Sequence, residues 1–162
     1  GDAVKLKTII LTVILSLLCV LVLVQNQENK AICQDFSTID AWMEREFESS
    51  KDMLVYHLHA KEFDFLDFRQ LTRFQMAAVY GTYLEHSDFG GDPEWGHLAQ
   101  ALDLLKHEAI FSRLTDDDFN MIVSFLNDHH YRNQPEITKA DLAPIVDRLN
   151  SLLNEFSSDG RE

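Results

Sequence analysis

The chain has 162 residues, 46% of them apolar, and carries 27 acidic against 14 basic side chains. That length supports one domain with a real core, and that charge repels nucleic-acid phosphates and anionic lipid headgroups. Only two cysteines occur, which excludes a disulfide framework and any zinc site of paired cysteines.

Residues 1–7 form a short tail with Lys5 and Lys7. Thr8 to Val24 then reads TIILTVILSLLCVLVLV, without a charge, Gly, Pro, Asn or Gln. As a helix these residues would reach roughly 26 Å, close to the ~30 Å hydrocarbon slab, with Lys7 free to snorkel at one end. A removed signal peptide needs small residues at −3 and −1; the chain instead continues QNQENKAICQ, with Asn29 three positions before a cut after Ala31. The expectation is a retained anchor over 8–24; a cleaved signal and a helix buried in a soluble oligomer are the alternatives. Lys5 and Lys7 put the N-terminus on the cytoplasmic side and the rest in the periplasm, or in the lumen or exterior of a eukaryotic cell.

Thr8, Thr12, Ser16 and Cys19 recur at spacings of four, four and three along one helix face. Such a row admits a second helix at close range, although Ser and Thr also bond back to their own helix carbonyls. Cys33 lies just past the anchor and cannot reach Cys19 along one continuous helix. A homodimer through the Thr8/Thr12/Ser16 stripe or through Cys33 is therefore open.

Residues 25–36 read as a polar linker able to stay helical, and 37–157 as the acidic domain, with a frayed tail at 158–162. From Gln34 onward 11 basic residues stand against 25 acidic ones, a balance of −14, and all seventeen aromatic residues lie in this part. Ser37 with Asp40 fits a capping box for a first helix over 38–60, with Ile39, Met43, Phe47, Leu54 and Leu58 inward and Trp42 beside them. Asp64 opens a second helix over 65–86. Phe65, Leu66, Phe68, Leu71, Phe74, Met76, Tyr80 and Tyr83 give it apolar residues on nearly every side, the pattern of a bundle's central helix. Gly90 and Gly91 supply turn freedom; Asp92 caps and Pro93 starts a third helix over 93–111, with Trp95, Leu98, Leu102, Leu105 and Ala109 as its seam.

Thr115 and Asp118 form a second capping box, and Asp116 and Asp117 favour the positive end of the helix dipole. Phe119, Ile122, Val123 and Leu126 are that helix's buried side, which ends near His129. In the last helix Leu142, Ile145, Leu149, Leu152 and Phe156 point inward. Pro144 falls in the first turn if Asp141 caps, and in the helix interior, with a kink, if Thr138 does. The fold class is all-α: one N-terminal transmembrane helix and a compact bundle of about five helices.

Little in the chain points to catalysis. No G-x-S-x-G and no Gly-rich phosphate loop occurs. Glu94 and His97 give one E-x-x-H, where a di-iron bundle needs two and further inward acids. His57 and His59 diverge by about 200° on a helix. The stretch Ile137 to Leu142 resembles the exit of an EF-hand loop, but His130, Arg132 and Gln134 would fall at the coordinating positions and Pro135 where glycine is needed. Neither a metal nor any other cofactor is expected. Candidate partner-binding residues are Phe89, Asp92 and Trp95, aromatics beside an acidic Gly-containing loop, together with Asp116, Asp117 and Asp118. The expected function is a non-enzymatic, membrane-anchored domain that binds a basic protein, as an immunity protein, inhibitor or adaptor does. The alternative is an accessory subunit of a membrane complex, recruited through its transmembrane helix.

Overall fold

The computed structural model describes the backbone of residues 2–63, 68–84 and 89–159, and the side chains of 9–63, 69–84 and 89–158. Its elements are α1 (Asp2–Ala60), α2 (Phe68–Tyr83), α3 (Glu94–Leu102), a 3-10 turn (Asp103–Lys106), α4 (Glu108–Phe111), α5 (Asp116–Asp128) and α6 (Lys139–Asp159). Among the described residues there is no strand: the chain is an all-α bundle with a long, apolar N-terminal helix. Internal contacts divide it into two units, Gly1–Thr38 and Ile39–Glu162.

The first unit is helix alone. Ile9 to Val24 leave every large apolar side chain 48–65% exposed. A surface that apolar is not stable against water, and α1 is long and apolar enough to cross a membrane. Residues 25–36 stay helical, and no helix begins at Ser37, which lies inside α1. The expected capping box with Asp40 is thus corrected: an interior position has no free N–H to cap, and Asp40 is buried against loops instead. Lys61 ends α1 by turning left-handed, at φ 55°.

The second unit builds its core around Trp95. Phe47 of α1 meets its ring edge at 4.7 Å between centroids, and Phe74 of α2 and Phe125 of α5 each lie at 6.0 Å. The indole N–H donates to the His130 carbonyl at 2.9 Å, so the one polar atom of this buried ring is satisfied. Leu98 and Leu102 of α3, Ile122 and Leu126 of α5, and Ile145, Leu149 and Leu152 of α6 close round it.

Several expected boundaries move. The third helix does not run to 111: it tightens into the 3-10 turn, His107 is extended (φ −94°, ψ 112°), and α4 restarts the chain. Asp92 does cap α3, accepting the Glu94 N–H at 3.0 Å, with Pro93 already helical. Thr115 and Asp118 form the expected capping box on α5. At α6 the cap is Thr138, whose N–H donates to Asp141 at 2.8 Å, so Pro144 stands inside the helix. That same Thr138–Asp141 pair accounts for the stretch that resembles an EF-hand exit. Ile39 and Phe156, expected inward, are 46% and 45% exposed. The second helix ends at Tyr83 rather than at 86, Leu84 already lying past it. Its expected start at 65, with Phe65, Leu66 and the side chain of Phe68, lies outside the described residues, as do Asp64 and the end of the tail.

One buried residue was hidden in a stretch that reads as a plain loop. Tyr131 is 1% exposed. Its N–H donates to Glu48 at 2.7 Å and its carbonyl accepts from Asp92 at 2.9 Å, so α1 and the 89–92 loop hold it from two sides. Beside it, Lys51 is buried but bonded to Glu48 at 2.8 Å and to the His129 carbonyl at 2.5 Å, and Asp40 receives the Gly90 N–H at 2.7 Å and Arg132. Burial raises the Glu48 carboxyl, but Lys51, the Tyr131 N–H and His130 together outweigh it and hold it below the usual carboxylate range.

Candidate protein-binding face

The residues singled out from the sequence as contacts do not form one surface. Trp95 is fully buried, and Asp92 and Asp118 are 5% and 7% exposed. Asp92 spends both oxygens on backbone, taking the Ile137 N–H at 2.7 Å as well as that of Glu94. Asp118 closes its capping box and takes Arg148 of α6 at 2.9 Å. For these three a contact role is corrected to a structural one, because a partner cannot reach a side chain the bundle already covers. Asp116 pairs with Lys61 at 2.6 Å, Asp117 is exposed, and Phe89 is half-buried. On α1, Thr12, Ser16, Cys19 and Cys33 are all exposed; the Thr8 side chain lies outside the described residues. Glu94 and His97 meet at 2.9 Å, and among the described residues no three His, Cys, Asp or Glu gather as a metal would require.

The structure brings together a different set. In α2, Leu71, Phe74, Ala77 and Ala78 face the core. Met76, Tyr80 and Tyr83 follow each other at spacings of four and three on the opposite stripe, and remain 52%, 51% and 70% exposed. This corrects the expectation of a central helix covered all round: α2 has the composition of a buried helix and the position of an outer one. Next to it on α1, Ile39 and Trp42 flank the buried stripe of Asp40, Phe47 and Leu54, and Trp42 is 53% exposed.

Between α1 and α2 lies an apolar hollow of about 150 Å³, lined by Trp42, Met43, Met76, Ala77 and Tyr80. The Arg73 guanidinium closes one side by gripping Glu46 at 2.7 and 3.0 Å. Half of the ~200 Å² that a large side chain presents, over Trp42, Met76, Tyr80 and Tyr83, makes on the order of 400 Å², the size of the largest patch on a typical monomer, which is often functional. Trp, Tyr, Met and Arg around one hollow are the composition of an interface centre, with the Glu46–Arg73 pair as polar rim. What this geometry can do is bind an apolar surface.

Fold and face together define a class: an all-α head on a helix of membrane-spanning length, with an aromatic face left open. Comparison of the chain with protein-family models, curated proteins and solved structures found no match. The spacing of Met76, Tyr80 and Tyr83 opposite Leu71, Phe74 and Ala78 was the one signal in the sequence that pointed to the face. It was masked by the density of apolar residues around it.

Proposed function

We propose that this protein is a non-enzymatic, single-pass membrane protein whose helical head binds another protein outside the inner membrane. The open aromatic face of Trp42, Met76, Tyr80 and Tyr83 is the observation that carries this reading. The head's acidic balance favours a basic partner, drawn in by long-range attraction and then held by aromatic contacts. Neutralising such a partner, as an immunity protein or inhibitor does, is the activity that fits. A photo-crosslinking amino acid at Tyr80, in native membranes, should give a discrete adduct that Trp42→Ala removes. Adducts only with lipid, or an adduct indifferent to Trp42, would sink the proposal.

The second reading is an accessory subunit recruited through α1, and the exposed row of Thr12, Ser16 and Cys19 favours it. Replacing these residues by leucine separates the two: loss of the partner supports recruitment through the membrane helix, and retention supports the head. The topology is tested by protease added to sealed vesicles of known sidedness. A head on the outer side should be degraded, whereas full protection would reverse the assigned orientation.

A further inference from the structure

A second concavity, sharing no residue with the aromatic face, runs between α3 and α6 with a volume of about 550 Å³. Its floor is made by Ala101 of α3, Leu104 of the 3-10 turn that follows it, and Ala143, Val146 and Leu153 of α6, all packed on the core or half-buried. An alanine on each wall leaves room that larger side chains would fill. From Lys139 to Leu153 the α6 wall spans about 21 Å, four helical turns.

Two rim charges stand out. Lys139 and Asp147 line the furrow, and neither side chain forms a hydrogen bond or ion pair with the described protein. They have opposite sign and are separated by about 12 Å along α6, two turns. An apolar floor of nearly three turns, about 15 Å from Ala143 to Leu153, with complementary charge sites two turns apart on its rim matches the helix-in-groove mode of recognition, in which an amphipathic helix lays down its apolar stripe. We propose that this furrow receives an amphipathic helix of a partner protein, with a carboxylate opposite Lys139 and a lysine or arginine two turns on, opposite Asp147. The inference does not rest on the aromatic face.

The test uses the full chain in nanodiscs of zwitterionic lipid and three fluorescein-labelled 16-residue helical peptides. They share a Leu/Ala stripe and differ at positions 4 and 12: Glu and Lys, Glu and Glu, or Lys and Lys. The head's overall negative charge alone would favour the Lys/Lys peptide, so the expected order is diagnostic. Fluorescence anisotropy should show the Glu/Lys peptide bound about tenfold more tightly than either other one. Lys139→Glu should transfer the preference to the Lys/Lys peptide. Ala143→Trp, with Ala101→Met as a gentler filling of the furrow, should abolish binding in protein whose circular-dichroism melt shows it folded. Tightest binding of the Lys/Lys peptide to the unaltered chain, undiminished binding to both filled variants, or no binding of any peptide overturns the proposal.

Discussion

Tyr131 shows how single residues fix the way this head closes. Its ring fills the space that side chains at Gly81 and Gly91 would occupy: a Cβ on Gly81 would stand 2.5 Å from the phenol oxygen, and one on Gly91 2.7 Å from the ring. Gly81→Ala and Gly91→Ala should each destabilise the head by about 1–3 kcal/mol in urea titrations, as overpacking does. Gly90→Ala should cost more, because its φ is 93° and its Cβ would press on the Gly81 carbonyl at 2.5 Å. Gly96→Ala is the contrast. Among the described residues it meets only Thr82, at 3.6 Å, and should stabilise α3 by up to about 1 kcal/mol. Burial pushes the Tyr131 phenol up to about 12, although a hydrogen bond from the Gly91 backbone pulls the other way. The unfolded phenol ionises near 10, so the stability tied to this group is whole below pH ~10 and is lost as pH rises towards 12. Alkaline titration at 295 nm should show one of the four tyrosines ionising only with unfolding.

At the scale of elements, α5 and α6 are joined through one carboxylate. Burial raises the Asp118 carboxyl, but Arg148 and both the N–H and hydroxyl of Thr115 outweigh it and hold it low. Its folded value lies below its unfolded one, so its contribution is present above pH ~4 and disappears as pH falls through the folded value. Glu48, Asp103 and Asp141 are lowered as well and should add to the same acid loss. Urea midpoints between pH 7 and pH 2.5 should fall, and Asp118→Asn should be less stable at pH 7 with a shallower fall. Thr115→Ala should cost about 1 kcal/mol, the usual value of a lost cap.

For the molecule as a whole, charge and the aromatic face make separable predictions. The head carries a large negative excess, so added salt should raise its melting temperature by screening self-repulsion. In the proposed complex the same salt should slow association with a basic partner. Trp42→Ala and Tyr80→Ala remove half-exposed side chains. Each should change stability by about 1 kcal/mol or less while weakening partner binding at least tenfold. A variant that melts normally and still binds fully would remove the aromatic face from the interface.

Helical class, the apolar N-terminal run and the Thr115–Asp118 cap were all decided by local order: a 3.6-residue period, an uninterrupted apolar stretch, and a hydroxyl three residues from a carboxylate. None of these depends on what the chain folds against. Tertiary structure alone decided which apolar residues stay outside. Met76, Tyr80 and Tyr83 differ from Leu71 and Phe74 only in the side of α2 they occupy, and α2 carries enough apolar residues to bury either side. The same holds for Tyr131 and Asp40, whose partners lie far off in the chain, up to 92 residues away. Periodicity reports the neighbours a residue has along its own helix, and these positions are governed by neighbours that only the closed bundle provides.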